Sequence, residues 1–203
     1  LAKVASFGYK QVESYEGPNG MFWGMGNKDF KMYLDDLGMK VISSHCDITK
    51  DFEKKVDAAA AIGMKYLIYN WPSQQHTLEE YRKMAATLNQ CGTICKKAGI
   101  RFANHNYDSS FLRVEGVYPH DILMQDTDPD LVDYQMDIYW LIIAGQEPAE
   151  WFKKYKGRFR LCHIKDRVKG STKREDTCDI GKGSFDFPAI LHAAKKNGME
   201  YFI

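Results

Sequence analysis

Side chains able to ligate a metal, move a proton or grip a polyol recur at regular points along this chain. They are Glu13, His45, Asn70 with Trp71, His105 with Asn106, Asp137 with Trp140, and His163 with Lys165 and Asp166. Asp137, His163 and His105 form a mixed carboxylate and imidazole donor set. Such a set suits a divalent ion, with Zn²⁺, Mn²⁺, Co²⁺, Fe²⁺ and Mg²⁺ all open. A neutral imidazole, with an ordinary pKa near 6.5, also works as a general base, so His105 and His45 are candidate bases. Lys165 carries the charge to hold an oxyanion or a phosphate. Glu13, Asn106 and Asp166 could bind substrate hydroxyls, and Trp71 and Trp140 could wall the site.

The elements that must carry these residues are legible in a repeated phrase. A glycine precedes a short apolar run that ends in polar residues: Gly8–Glu13, Gly38–His45, Gly63–Asn70, Gly99–His105, Gly157–His163 and Gly198–Ile203. Each glycine suits the left-handed position that ends a helix, and the apolar run after it reads as a strand. The intervening segments read as helices. Asp51–Ile62 carries an apolar stripe; Thr77 caps a helix that runs to Lys97; Pro188–Asn197 has proline at its start and Gly198 past its end. Leu131–Trp140, after the turn signal Asp128-Pro129-Asp130, reads as a further strand, and His163-Ile164-Lys165-Asp166 as a strand that continues past His163.

Strand–helix alternation of this kind makes parallel sheets, either doubly wound or closed as a (β/α)8 barrel. A doubly wound nucleotide binder needs a glycine-rich loop after its first strand. None is present, and Gly181-Lys182-Gly183 reads as a loop turn. In a barrel the C-terminal strand ends converge on one mouth, which is where the reactive residues fall. The expectation is therefore an α/β, (β/α)8 TIM barrel over residues 1–203, a single domain lacking its first strand and its last helix.

Composition narrows the classes further. Lys and Arg number 28 against 27 Asp and Glu, which argues against a binder whose affinity rests on neutralising nucleic-acid phosphates. No apolar run approaches the roughly 20 residues of a membrane span. The five cysteines show no CxxC and no regular framework, so they read as small hydrophobes in a reducing compartment. With no signal peptide in view, the expected location is cytoplasmic. The abrupt N-terminus leaves a periplasmic one open. The expected partner is a small carbohydrate, and a homo-oligomer is compatible with the sequence.

Taken together and in order, several segments resemble the sugar phosphate isomerase/epimerase superfamily, the xylose-isomerase-like barrels. They include Phe7–Glu13, Leu37–His45, Ala98–Phe102, His105-Asn106, Asp126–Val132, Met136–Trp140, Lys154–Arg158, His163–Asp166 and Ile180–Phe187. The likeness is to a branch marked by a His-Asn-His-x-x-Glu-Phe strand end. It implies a divalent metal held by one residue from each of the last four strands, typically Glu, Asp, His and Glu. Asp137 and His163 match directly, and His105 stands where most relatives carry Glu. The fourth ligand is expected at position 204, six residues after Gly198. Tyr107 replaces the second His of the branch motif, and Ser110, ahead of Phe111, replaces its Glu. A two-glutamate proton shuttle therefore does not carry over.

The reaction implied is proton abstraction next to a sugar carbonyl, through an enediolate, giving an isomer or an epimer. A leaving group β to that carbon would turn the same chemistry into a lyase or hydratase. Two rivals are a sugar-binding barrel without catalysis, suggested by Tyr107 and Ser110, and a DNA-repair endonuclease of the same superfamily. The near-neutral charge and the six histidines speak against the latter.

Overall fold

The computed structural model describes residues Leu1–Ile203. Its strands are β1 Gln11–Tyr15, β2 Lys40–His45, β3 Tyr66–Asn70, β4 Arg101–His105, β5 Val132–Asp137, β6 Phe159–His163, β7 Asp166–Arg167, β8 Thr177–Cys178 and β9 Tyr201–Phe202. The helices are α1 Ala2–Ser6, α2 Asn27–Asp36, α3 Phe52–Ala60, α4 Leu78–Lys97, α5 Pro119–Asp126, α6 Ile138–Ile143, α7 Pro148–Lys154 and α8 Phe187–Lys196, with a 3₁₀ turn at Asp108–Phe111.

Seven strands form one parallel sheet in the order β1-β2-β3-β4-β5-β6-β9. Every neighbour in space is the next of these strands in sequence. A doubly wound sheet would reverse direction at a switch point, and none exists. The fold is that of a TIM-barrel wall, curled with its helices outside.

Helix signals act as expected. Thr77 Oγ1 accepts from Glu80 N at 3.2 Å while Thr77 N donates to Glu80 Oε2 at 2.7 Å, the reciprocal cap that starts α4. Tyr81, Ala85, Leu88, Cys91 and Cys95 bury one stripe of that helix, which packs on α5 and β4. Gly92 lies on the same stripe because a Cβ there would stand 2.4 Å from the Leu131 carbonyl oxygen.

Alternation along the strands separates two cores. Leu67, Phe102, Tyr134, Met136 and Cys162 join the large core under the helices. Their neighbours Tyr66, Ile68, Ala103 and Leu161 form a small second cluster, with Tyr201 packed on it. Two residues further along β3, β4 and β6 the same face turns polar, and on β5 it is polar throughout, at Asp133, Gln135 and Asp137. That step delivers Asn70, His105, Asp137 and His163 to one rim.

Two sequence expectations need correction. The strand read as Leu131–Trp140 stops at Asp137, whose Oδ1 accepts from Trp140 N at 3.2 Å. Asp137 is thus the cap of α6, and Trp140 sits in that helix. The strand ending in His163 does not run on to Asp166 either. Asp166 opens a separate antiparallel pair with β8, because its carboxylate collects backbone N–H groups from the adjoining loop and not from the sheet.

Candidate active site

Glu13, on β1, is the hub of the rim. Its Oε1 lies 2.8 Å from His45 Nε2 and 2.7 Å from His163 Nε2. Its Oε2 accepts from Ser43 Oγ at 2.6 Å and from Gln135 Nε2 at 2.8 Å. Burial works against its charge, but His163 and His45 more than reverse this and hold the carboxyl well below the usual range. Asn70 Oδ1 accepts from His45 Nδ1. That contact fixes the proton on Nδ1 and turns Nε2 toward Glu13.

His105 and Asp137 lie deeper. His105 is 4% exposed and Asp137 1%, with Nε2 and Oδ2 3.5 Å apart. At that separation neither nitrogen of His105 has a hydrogen-bond partner. Burial pushes the imidazole down to about 4, the nearby Asp137 offsetting only part of the effect. His105 is therefore neutral at physiological pH. Burial also disfavours the Asp137 charge, but His105, His163 and Lys165 hold that carboxyl low. His163 stands between the two groups, its Nδ1 3.8 Å from Asp137 Oδ2. Burial opposes its charge, yet Asp137 and Glu13 push it up to about 9. The rings of His45, His105 and His163 stand 4.9–5.4 Å apart. Donor atoms of Glu13, His45 and His163, and of His105, Asp137 and His163, are close enough for each trio to share an ion.

Lys165 Nζ is 3.8 Å from Asp137 Oδ2 and 4.7 Å from the Trp140 ring centroid. The rim opens into a cavity of about 650 Å³ lined by Glu13, Glu16, His45, Asp47, Asn70, His163 and Ile203 among others.

The remaining sequence candidates have other partners. Asn106 brackets the Asp137 backbone, donating to its carbonyl at 3.2 Å and accepting from its N–H at 2.9 Å. Asp166 accepts from Gly181 N, Gly183 N, Arg167 N and Phe185 N at 2.8–3.3 Å. Trp71 stacks on His76, with centroids 3.8 Å apart. Trp140 is buried beneath Lys165 and Arg174. The Tyr107 and His105 rings meet edge to face, with centroids 5.3 Å apart, and Ser110 Oγ donates to the Tyr107 carbonyl. Ser43 and Gln135 were not singled out from sequence. They stand two residues before His45 and Asp137, so strand alternation was the signal that could have found them.

The curated relatives include inosose dehydratase 2 of Bacillus cereus, 32% identical over 90 residues, which are 44% of this chain and 30% of that protein. They also include inosose dehydratase of Lacticaseibacillus casei, 25% identical over 141 residues, or 63% of this chain and 47% of that protein. The matches thus span a third to a half of these relatives' lengths. Among solved structures, a sugar phosphate isomerase/epimerase from Parabacteroides distasonis ATCC 8503 superposes with a TM-score of 0.82 and 27% identity, covering 99% of this chain and 77% of that one. A zinc-bound IOLI protein shares the fold, with a TM-score of 0.77, 18% identity, and 98% and 79% coverage. The family model described as xylose isomerase-like TIM barrel matches residues 1–203. This chain belongs to the xylose isomerase-like TIM-barrel family.

Proposed function

We propose that the chain is a divalent-metal-dependent sugar isomerase or epimerase that abstracts a proton beside a carbonyl. The observation that carries this reading is the convergence of three imidazoles, two carboxylates and a lysine at one rim, of which Glu13, His45 and His163 line an open cavity. A second reading, a keto-sugar dehydratase on the same site, is favoured by the inosose dehydratase relatives.

The residues fit an ion. His105 is buried, neutral and unpartnered, which is costly for a side chain with no ligand to meet. With His163 and the ionised Asp137 it makes a nitrogen–oxygen donor set suited to a divalent metal. When bound, such an ion polarises a carbonyl and stabilises the negative charge that develops beside it. His105 is then assigned to holding the ion. His45 is left as the base: Asn70 holds its Nδ1, and its Nε2, at the cavity wall, gives up its 2.8 Å contact with Glu13 Oε1 to take the substrate proton. Glu13 stabilises the imidazolium formed when His45 takes the proton. Lys165, held over Trp140, would meet an oxyanion.

Return of the proton to the neighbouring carbon gives an isomer; return to the other face gives an epimer. Loss of a β-hydroxyl gives dehydration. The cavity favours an uncharged sugar. Glu16 and Asp47 line it alongside Glu13, and the adjacent Lys55 is already bound to Glu16 Oε2 at 2.8 Å.

The test is incubation of the full chain with Co²⁺ or Mn²⁺ in D₂O, using unphosphorylated ketoses and inososes beside their phosphorylated counterparts. Deuterium should enter at the carbon next to the carbonyl of an unphosphorylated substrate, and product NMR separates isomer, epimer and dehydration product. Absence of both exchange and elimination across the panel overturns the enzyme reading.

A further inference from the structure

The geometry points to a second divalent-cation seat formed by Glu13 Oε1, His45 Nε2 and His163 Nε2, mutually exclusive with the inner seat at His105, Asp137 and His163. It rests on the reading of the inner trio as the working metal site. We place it on three observations.

First, the tautomer of His45 is fixed from behind. Asn70 Oδ1 can only accept, so Nδ1 bears the proton and the lone pair of a neutral ring lies on Nε2. That lone pair faces a carboxylate oxygen 2.8 Å away, an arrangement that requires a proton or a cation between them. Second, Glu13 is oriented as a ligand. Ser43 and Gln135 occupy Oε2 and leave Oε1 turned to both imidazoles, the kind of outer support that aims metal-binding carboxylates. A tetrahedral ion with bonds of about 2.1 Å spaces its donors about 3.4 Å apart, so entry would part Glu13 Oε1 from each imidazole nitrogen by about 0.6–0.7 Å. Third, Glu13, His45 and His163 all border the open cavity, whereas His105 and Asp137 do not.

Exclusivity comes from the shared ring. A neutral imidazole has one lone pair. His163 faces Asp137 with Nδ1 and Glu13 with Nε2, so it serves one seat or the other. With the inner seat filled, His163 Nε2–H donates to Glu13 and steadies the ligand. With the outer seat filled, His45 and Glu13 are occupied by the ion and cannot move a proton. The outer seat is therefore a parked, inactive position. The nitrogen-rich donors select the Zn²⁺ and Co²⁺ class over Mg²⁺.

Equilibrium dialysis with Co²⁺, read together with its visible absorption, tests the arrangement on wild type, Asp137→Asn, Glu13→Gln and the double variant. Circular dichroism checks that each is folded, and His45→Gln provides a second route to the outer seat. The expected result is one Co²⁺ per chain in wild type and in each single variant. Binding should be at least tenfold weaker in Asp137→Asn, which loses the tighter inner seat, and little changed in Glu13→Gln, with absorption spectra that differ between them, and absent from the double variant. Failure of folded Asp137→Asn to bind Co²⁺ overturns the outer seat. So does binding by Asp137→Asn that neither Glu13→Gln nor His45→Gln diminishes. Binding unchanged by Asp137→Asn yet lost in Glu13→Gln would support the outer seat and overturn the inner one instead.

Discussion

Glu13 and His45 divide one task. The carboxylate supplies a fixed charge, and the imidazole, held by Asn70 behind it, presents the nitrogen that exchanges a proton. Replacing His45 with Gln keeps a polar side chain in place but removes the base. Turnover should fall by about 10²–10⁴-fold with little change in KM; an unchanged kcat would remove His45 from the chemistry. A second histidine makes a prediction of the opposite kind. His120 is fully buried among Phe111, Tyr134, Trp151 and Phe159, with both nitrogens unpartnered. Burial pushes it down to about 3, with Arg158 and Lys154 adding to the effect. The folded ring stays neutral while the unfolded one titrates near 6.5. Stability from this group is therefore full above about pH 6.5 and declines as pH falls toward 3, by about 2 kcal/mol at pH 5. His120→Phe should gain about that much over wild type at pH 5 relative to pH 8 in urea unfolding. Parallel pH profiles for the two proteins would show that His120 is not the source.

At the scale of elements, the loop from β7 to α8 depends on one carboxylate. Asp166 gathers four backbone N–H groups, and a Cβ on Gly183 would stand 2.1 Å from Asp166 Oδ1 and 2.3 Å from the Arg167 carbonyl oxygen. Gly183→Ala should therefore unfasten the loop and expose residues 168–184 to limited proteolysis, while β1–β6 stay protected. Equal protection in variant and wild type would contradict this. Thr77→Ala removes one side of the α4 cap and should cost about 1 kcal/mol in thermal or urea unfolding. The strands and helices were legible because their signals are local: a glycine after each helix, an apolar run, a cap. The end of β5 was not legible. Asp137 terminates its strand by capping α6, and an apolar sequence such as Ile138-Tyr139-Trp140 serves a buried helix as well as a strand. Asp166 and Asn106 illustrate the same limit. Their polar groups serve backbone partners up to 31 residues away, pairings that no sequence spacing announces.

For the molecule as a whole, sequential parallel order is what turns residues spread over 150 positions into one site. Glu13 meets His163 only because β1 and β6 belong to the same curled wall. Strand-end position gave Glu13, His45, His105, Asp137, His163 and Lys165 as candidates before the fold was known. It could not separate ligand from base, since that division rests on burial: His105 is closed off and unpartnered, whereas His45 borders the cavity. No helix is long and apolar enough to cross a membrane. The central claim is metal-assisted proton transfer at this rim. Its most direct test is the rate at which solvent deuterium enters an unphosphorylated keto-sugar, measured for wild type and Asp137→Asn, each with Co²⁺ and with the metal removed. Exchange is predicted for the metal-loaded wild type alone, with at least a hundredfold loss on either change. Equal exchange with and without metal, and with and without the Asp137 carboxylate, would contradict it.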